Sequence, residues 1–334
     1  MQYRTLGQSG IQASAVGLGT WAMGGWMWGG TDESDSVTAI HAALDAGVNL
    51  IDTAPIYGFG LSEEIVGKAI SGRRDKVILA TKCGMVCNPE VGESKFRVNT
   101  MVPDEHGHIP IHIYLGPESI RRELEASLQR LGTDSVDLYQ THWQDSTIPI
   151  QDTMGVLMDL KREGKIRAIG VSNASPEQME EYLKYGPIDS DQEKYSMLDR
   201  ELEQEQLPFC HSHEIAVLAY SPLGQGLLTG KMDPSREFDK GDLRHGNARF
   251  SRENRERIGR MLDAFKPIAE SRRLTLAQLV IAWTLQQPGL THALCGARNP
   301  QQAQENAAAG DVVLDEEERA RLDEAIHEQL GAAT

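Results

Sequence analysis

The sequence predicts an α/β protein built on a single (β/α)8 TIM barrel. Short β-rich runs alternate with amphipathic stretches about eight times along the 334 residues. Several of these runs are apolar on both faces, as parallel strands covered by helices are. The chain has no Pro- or Ser-rich linker and no break in composition. Eight such units therefore fit a closed barrel better than a doubly wound open sheet.

Each predicted element has its own sequence signal. Residues 8–10 mark the turn of an N-terminal β-hairpin. The predicted barrel strands are 15–20, 49–53, 76–82, 136–142, 166–173, 190–195, 216–222 and 292–298. Between them, apolar residues recur at helical spacing, as in Val37, Ile40 and Leu44. The tail predicts an extra helix at about 315–330, packed outside the barrel.

Residues 1–334 are expected to form one domain with two long loops at one face. The loops at about 83–115 and 223–251 exceed the usual connection and follow predicted strands. In a barrel they would lie at the C-terminal face, where long loops often act as lids.

Charge and composition exclude several classes of partner. The 33 Lys and Arg against 49 Asp and Glu give a net charge of -16, which repels nucleic acid and anionic membrane surfaces. No apolar run approaches the ~18 residues of a membrane helix. Four cysteines make no disulfide framework, which predicts a reducing, cytoplasmic location. An anionic ligand would need a local cluster of cations or backbone N–H groups.

Four ionisable side chains fall at or just after the ends of predicted strands. They are Asp52, Tyr57, Lys82 and His142, and residues at these ends are the ones to consider catalytic. Taken singly, they have structural interpretations. Asp52 and Lys82 could be an ion pair that fills the barrel, and His142 could be a histidine whose ring nitrogens are hydrogen-bonded within the fold. Together they favour carbonyl reduction.

The chemistry assigns a task to each of the four. The Tyr57 phenol has an ordinary pKa near 10, and we expect the Lys82 ammonium to lower it. Lys82 needs the carboxylate of Asp52 to hold its charge, and His142 would donate an N–H to the substrate carbonyl. No side chain can deliver hydride, so a cofactor is required.

Several motifs resemble the aldo-keto reductase family, of the bacterial type and with likeness to its channel β-subunit members. They are GVNLIDTAPIYG at 47–58, SEEIVG at 62–67, GLGTW at 17–21, DLYQTH at 137–142, IGVSN at 169–173, AYSPL at 219–223 and GAR at 296–298. The resemblance covers nearly the whole chain. It implies that Asp52, Tyr57, Lys82 and His142 are the family's catalytic tetrad, with Tyr57 as the proton donor in reduction.

The resemblance also implies NADP(H) extended across the barrel mouth without a Rossmann domain. Its nicotinamide would meet Ser172, Asn173, Gln192 and Tyr220, and its pyrophosphate would lie over residues 221–231. Arg298 would stack on adenine and pair with the 2′-phosphate. The implied cofactor contacts are Gly19, Thr20, Trp21, Asp52, Ser172, Asn173, Gln192, Tyr220, Ser221, Pro222, Leu223, Gln225, Gly226, Leu228, Thr229, Gly230, Lys231, Gly296, Ala297, Arg298, Gln302, Glu305 and Asn306.

This sequence departs from the family pattern around the adenosine end. Many members carry Lys-Ser after the last strand and Arg further along the helix, where this chain has Gly296, Ala297 and Gln302. Fewer cations make NAD(H) a possible, weaker cofactor beside NADP(H).

The expected function is reversible reduction of small aldehydes or ketones, including short sugar or polyol aldehydes, to alcohols. Trp21, Tyr57, His142 and Trp143 are the expected substrate contacts, because aromatic residues near one barrel mouth suggest a partly apolar wall. No metal is expected, since His106, His108 and His112 have no supporting Cys or carboxylate pattern and fit solvated lid positions.

Two other functions stay open at this point. One is a nicotinamide-cofactor-sensing regulatory subunit with little turnover, and the other is a metal-dependent barrel hydrolase. Multiple turnover without a partner would oppose the first, and activity that survives EDTA would oppose the second.

Overall fold

The computed structural model describes residues 1–87, 93–96 and 111–330. Its strands are β1 (Tyr3–Thr5), β2 (Gln12–Ser14), β3 (Val16–Gly19), β4 (Leu50–Asp52), β5 (Ile78–Cys83), β6 (Met85–Val86), β7 (Glu93–Phe96), β8 (Ile111–Ile113), β9 (Val136–Thr141), β10 (Ile166–Ser172), β11 (Ser190–Lys194), β12 (Ala216–Tyr220) and β13 (Leu290–Gly296). Its α-helices are α1 (Glu33–Asp45), α2 (Leu61–Ile70), α3 (Pro117–Leu131), α4 (Ile150–Arg162), α5 (Pro176–Leu183), α6 (Gln206–Ser212), α7 (Arg252–Arg272), α8 (Leu276–Leu285), α9 (Pro300–Ala308) and α10 (Glu316–Leu330).

Eight parallel strands close into a barrel in the order β10-β11-β12-β13-β3-β4-β5-β9. Every predicted barrel strand overlaps one of them, so the predicted (β/α)8 fold is confirmed. Residues between the strands and the helices form one large apolar cluster that includes Ile51, Leu79 and Val171. Residues inside the barrel form a smaller cluster with Leu50, Leu138 and others. The two periodicities, alternation in strands and the helical repeat, separate these layers.

The predicted N-terminal hairpin closes the barrel at the end opposite the candidate site. β1 pairs antiparallel with β2, with Tyr3 opposite Ser14. Leu6 and Ile11, at the turn, are 0% and 3% exposed and pack with the inner barrel cluster. The hairpin therefore keeps water from the lower end of the barrel.

Helix starts have local causes in the sequence. Ser175 and Gln178 form a reciprocal capping box at the start of α5, and Thr275 and Gln278 form another at α8. Gly132 ends α3 in the left-handed conformation, at φ 64°, which glycine adopts without steric cost.

The long segments have partly regular structure. β6, β8 and β7 form a small sheet in the loop after β5, while residues 88–92 and 97–110 of that predicted lid lie outside the described residues. The segment after β12 contains 3-10 turns at Gly224–Thr229 and Ala248–Phe250. The predicted tail helix is α10, and it packs against α7. Among the described residues, no helix combines the length and apolarity needed to cross a bilayer.

Candidate active site

The C-terminal ends of the barrel strands open into a cavity of about 630 Å³. Gly19, Asp52, Ser172 and Gln192, each at or near such an end, lie in its wall. This is the face at which (β/α)8 barrels build their functional sites.

Lys82 lies beneath the cavity and joins two of the predicted catalytic residues. It is completely buried, and its Nζ donates to Asp52 Oδ1 at 2.9 Å and Oδ2 at 2.7 Å. It also donates to the Thr53 carbonyl at 2.9 Å and to the hydroxyl oxygen of Tyr57 at 3.2 Å. The ammonium therefore links the Asp52 carboxylate to the phenol.

The protonation of Tyr57 differs from the expectation drawn from the sequence. Burial raises the pKa of Tyr57 well above its usual value, and the charge of Asp52 raises it further. Burial also lowers the pKa of Lys82, against the opposing effect of Asp52. The expected lowering of the Tyr57 pKa was wrong, because desolvation of the tyrosinate outweighs one ammonium that Asp52 already neutralises. The phenol keeps its proton.

His142 is the fourth member of this group. Its ring lies 5.7 Å from the Tyr57 ring, edge to face at 83°. Burial, and then the charge of Lys82, hold the pKa of His142 well below its ordinary value. The imidazole is therefore neutral and carries one N–H. Both His142 and Tyr57 line the cavity.

The predicted nicotinamide contacts are connected to one another and to Asp52. Gln192 Nε2 donates to Asp52 Oδ1 at 2.8 Å. Asn173 Nδ2 donates to the His142 carbonyl at 3.0 Å, and Asn173 Oδ1 accepts from the Tyr220 hydroxyl at 3.0 Å. Asn173 has a φ of 55°, which few residues other than glycine adopt. The four predicted nicotinamide contacts, Ser172, Asn173, Gln192 and Tyr220, all line the cavity.

The predicted phosphate segment has a backbone suited to an anion. Ser221, Gln225 and Gly226 have φ values of 58°, 56° and 100°, and successive turns of this kind can direct N–H groups at one point. Lys231 Nζ binds both carboxylate oxygens of Glu305, at 3.0 and 2.7 Å. That ion pair connects the segment after β12 to α9.

Two of the predicted contacts in this segment lie away from the cavity. Leu228 is fully buried in the apolar core, and its N–H bonds to the Leu223 carbonyl at 3.1 Å. A Cβ at Gly230 would meet Leu276 at 2.5 Å, so this residue packs against α8.

Apart from Lys82, Leu228 and Gly230, the predicted site residues all line this cavity. They are Gly19, Thr20, Trp21, Asp52, Tyr57, His142, Trp143, Ser172, Asn173, Gln192, Tyr220, Ser221, Pro222, Leu223, Gln225, Gly226, Thr229, Lys231, Gly296, Ala297, Arg298, Gln302, Glu305 and Asn306.

Sequence reasoning missed the arginine cluster at the far end of the cavity. The guanidinium carbons of Arg244 and Arg298 lie 5.1 and 5.8 Å from the Trp28 ring centre, and Arg298 also donates to the Trp28 carbonyl. Arg244 donates to both carboxylate oxygens of Asp242, from Nε to Oδ1 at 2.8 Å and from Nη2 to Oδ2 at 2.6 Å. Arg236 completes the group in the cavity wall. Only Arg298 was expected, because the others come from a segment with no recognisable motif.

A backbone contact holds the two cavity loops together at this cluster. The Leu243 N–H donates to the Met27 carbonyl at 2.9 Å, and Trp28 pairs with Asp242 as an isolated antiparallel bridge. The loop after β3 and the segment after β12 therefore meet over the cavity, whose elongated part between the Tyr57 end and the arginine cluster is called the groove below.

The end of the cavity near Tyr57 is rich in apolar and aromatic residues. Trp21 stacks on Tyr57 with ring centres 6.1 Å apart and meets Trp28 edge to face at 5.2 Å. The expected contacts Trp21 and Trp143 both face the cavity. Residues there that were not among the expected substrate contacts are Trp26, Met27, Trp28, Ile56, Met85 and Ile111. The tryptophan-rich run after β3 was the available signal for the first three.

The three loop histidines do not behave as one group. His106 and His108 lie outside the described residues. His112 is on β8 and only 8% exposed, so the solvated position expected for it was wrong: pairing with β6 and β7 buries it. Within the described ranges, no three His, Cys, Asp or Glu side chains converge as a metal site would require.

Comparison with known proteins agrees with this geometry. The family model of the Aldo/keto reductase family matches residues 15–327. The NADH-specific methylglyoxal reductase of Escherichia coli strain K12 is 44% identical over 315 residues, covering 92% of this chain and 93% of that protein. A barrel whose strand ends carry this Asp, Tyr, Lys and His set, with these matches, belongs to the aldo/keto reductase family.

Solved structures show the same likeness. The glycerol dehydrogenase AKR11B4 from Gluconobacter oxydans is 38% identical, with a TM-score of 0.86, covering 99% of this chain and 97% of that one. An aldo/keto reductase from Klebsiella pneumoniae in complex with NADP and acetate is 31% identical, with a TM-score of 0.71 and coverage of 97% and 95%.

Proposed function

We propose that this protein is an NADP(H)-dependent reductase that converts small aldehydes and ketones reversibly to alcohols. The observation that carries this proposal is the contact of 3.2 Å in which Lys82 donates to the oxygen of Tyr57. The ammonium occupies the phenol's acceptor position, so the phenolic proton is left to donate to a carbonyl in the cavity.

The four strand-end residues then have separate roles in the reaction. The nicotinamide, when bound, supplies the hydride that the carbonyl carbon receives. Tyr57 gives its proton to the carbonyl oxygen as general acid, and Lys82 stabilises the tyrosinate left behind. Asp52 keeps Lys82 charged and in place. His142 donates its single N–H to the same carbonyl oxygen and so orients the substrate.

The residues of the groove fit a nicotinamide dinucleotide. Gln192 uses its N–H on Asp52, which leaves its carbonyl oxygen to accept from a carboxamide. Ser221, Gln225 and Gly226 offer backbone N–H groups for a pyrophosphate. Leu228 and Gly230 would support this segment through packing without touching the cofactor.

The charges at the far end favour a 2′-phosphate over a free ribose. In the described part of the chain, neither Arg236 nor Arg298 forms an ion pair with a carboxylate, whereas Asp242 and Glu305 neutralise Arg244 and Lys231. Guanidinium groups that have no directly bound carboxylate suit a dianion. The NADP complex of the Klebsiella relative supports this preference, and the NADH-specific relative from E. coli supports NADH as a weaker alternative.

The apolar wall near Tyr57 favours small carbonyl substrates with a compact, partly apolar body. Relatives named for methylglyoxal and glycerol point to the same size range. Methylglyoxal, short aldoses and glycerol in the oxidation direction are therefore the first substrates to test.

The test is a titration of intrinsic Trp fluorescence with NADPH and with NADH, followed by absorbance assays of cofactor oxidation on those aldehydes, with and without EDTA. Tight NADPH binding and aldehyde-dependent oxidation that survives EDTA are expected. Binding with no turnover on any carbonyl would refute the reductase and favour a cofactor sensor. Loss of activity with EDTA would contradict the metal-free mechanism.

A further inference from the structure

Two buried carboxyl groups lie side by side on the outer face of β11. Asp191 and Glu193 are 0% and 8% exposed, and they alternate with Gln192, whose side chain points into the barrel toward Asp52. Neither forms an ion pair with any cation in the part of the chain that the structure describes. Two ionised carboxylates so placed would have no compensating charge.

These carboxyls hold the two backbone polar groups of one residue, Ala174, in the turn after β10. Glu193 Oε1 accepts from the Ala174 N–H at 3.0 Å. Gln206 Nε2 donates to the Ala174 carbonyl at 2.7 Å and to Asp191 Oδ2 at 2.6 Å. Both backbone groups of Ala174 are thus bound, one by Glu193 and the other by a glutamine that Asp191 holds.

Ala174 follows the residue with the unusual backbone at the nicotinamide end. Asn173 has a φ of 55°, a conformation that a non-glycine residue keeps only when its surroundings impose it. Its side chain joins the His142 carbonyl to the Tyr220 hydroxyl, both at 3.0 Å. A shift of the Ala174 peptide would therefore move the Asn173 amide inside the cavity.

The environment of Asp191 and Glu193 favours keeping a proton on one of the two carboxyl groups. Asp191 Oδ1 is buried and has no hydrogen-bond partner among the described residues, and the Glu193 carboxyl lies beside Asp191 on the same face of β11. Burial raises the pKa of Glu193 to about 7 and that of Asp191 well above its usual value. The facing titratable groups are the Cys210 thiol on α6 and the Tyr220 phenol on β12. Burial raises the pKa of both, so both are neutral near pH 7.

We propose that Asp191 and Glu193 share one proton and act as positioning residues for the Asn173–Ala174 turn, which sets the affinity of the nicotinamide half of the cofactor. Asp191 O–H donates to Glu193, whose negative charge strengthens its bond to the Ala174 N–H. Loss of that last proton would place a second charge in the pair and displace the turn. This inference rests on the proposed function, and the experiment distinguishes failure of the inference from failure of the proposed function.

The first arm compares NADPH with 2′,5′-ADP, which lacks the nicotinamide half. Glu193→Gln keeps the size of the side chain and removes its charge. We expect it to weaken NADPH binding about five- to tenfold and to leave 2′,5′-ADP within about twofold. Equal effects on the two ligands, or none, would overturn the positioning role. A wild-type protein that binds neither NADPH nor NADH would instead refute the proposed function.

The second arm follows the ratio of the two dissociation constants with pH. In the wild type, NADPH affinity should decline relative to 2′,5′-ADP as the pH becomes alkaline. Asp191→Asn provides an amide that still donates to Glu193 and cannot ionise, so it should bind NADPH normally at about pH 7 and show no such decline. A wild type without the decline, or an equal decline in Asp191→Asn, would overturn the shared proton.

A matched control makes the same substitution elsewhere on the barrel. Asp137 is 2% exposed on the outside of β9, where it binds Arg74 and Arg167. Asp137→Asn should leave the ratio and its pH profile unchanged. Thermal melts of all variants confirm that each is folded.

Discussion

The ammonium of Lys82 donates to the hydroxyl oxygen of Tyr57 over 3.2 Å. This direction of donation leaves the phenolic proton for another acceptor, while burial keeps that proton on the phenol until a carbonyl arrives. In the proposed reaction, Lys82 would therefore act mainly by stabilising the tyrosinate as it forms. The predictions below follow from this arrangement and from the charges around the groove.

Removal of the Tyr57 hydroxyl should abolish proton transfer without disturbing the groove. We expect Tyr57→Phe to lower kcat for aldehyde reduction by about 10²- to 10⁴-fold, the usual contribution of a general acid, with NADPH affinity unchanged. Steady-state rates and fluorescence titration measure the two quantities. Tyr185→Phe, at an exposed tyrosine, is the control. Near wild-type turnover in Tyr57→Phe would contradict the mechanism.

The pH profile of reduction should be broad. The raised pKa of Tyr57 keeps the acid protonated well into the alkaline range, so kcat/KM should stay level through about pH 9. The lowered pKa of His142 keeps the imidazole neutral, so the acid limb should begin well below its ordinary value of 6.5. A profile that falls between about pH 7 and about pH 8.5 would show that Tyr57 ionises near neutrality and would contradict the raised pKa.

Arg236 and Arg298, the two cavity arginines that have no directly bound carboxylate among the described residues, should set cofactor preference. Arg298→Leu and Arg236→Leu should each weaken NADPH binding by about tenfold or more, because each removes a charged hydrogen bond to the 2′-phosphate, and should change NADH affinity by less than about twofold. Arg252→Leu is the control, since that guanidinium is exposed, binds Glu256 on α7 and does not line the cavity. An equal loss of affinity for NADPH and NADH would show that the two arginines only stabilise the loops and do not recognise the 2′-phosphate.

Acid should destabilise the fold partly through His292. Burial lowers the pKa of this histidine from 6.5 to about 4. The unfolded chain therefore binds a proton below pH 6.5 that the folded protein takes up only near pH 4, and the free energy of unfolding should fall as the pH drops through that window. His292→Gln should flatten this part of the curve of urea midpoint against pH. An unchanged slope in that variant would assign the acid sensitivity to other groups.

The barrel and the positions of its proposed catalytic residues could be predicted because their signals are local. Alternation in strands and the helical repeat identify each element, and the C-terminal ends of parallel strands meet at one face of a barrel. Asp52, Lys82 and His142 therefore had to converge once the strands were placed, and the tail helix followed from periodicity alone. The run at 47–58 brought Tyr57 into the same group.

Tertiary structure alone decided the features that depend on burial and on contacts between distant segments. The Tyr57 pKa rises because folding removes the phenol from much of the surrounding water, and no residue type near it in the chain reports that desolvation. Arg244 reaches Trp28 only because the segment after β12 folds over the loop after β3. Asp191 and Glu193 resemble exposed polar residues in the sequence, yet α6 and the turn after β10 cover them. Burial and contacts between loops depend on the whole folded chain. The protonation of buried groups and the contacts around the proposed cofactor site therefore cannot be predicted from local sequence patterns.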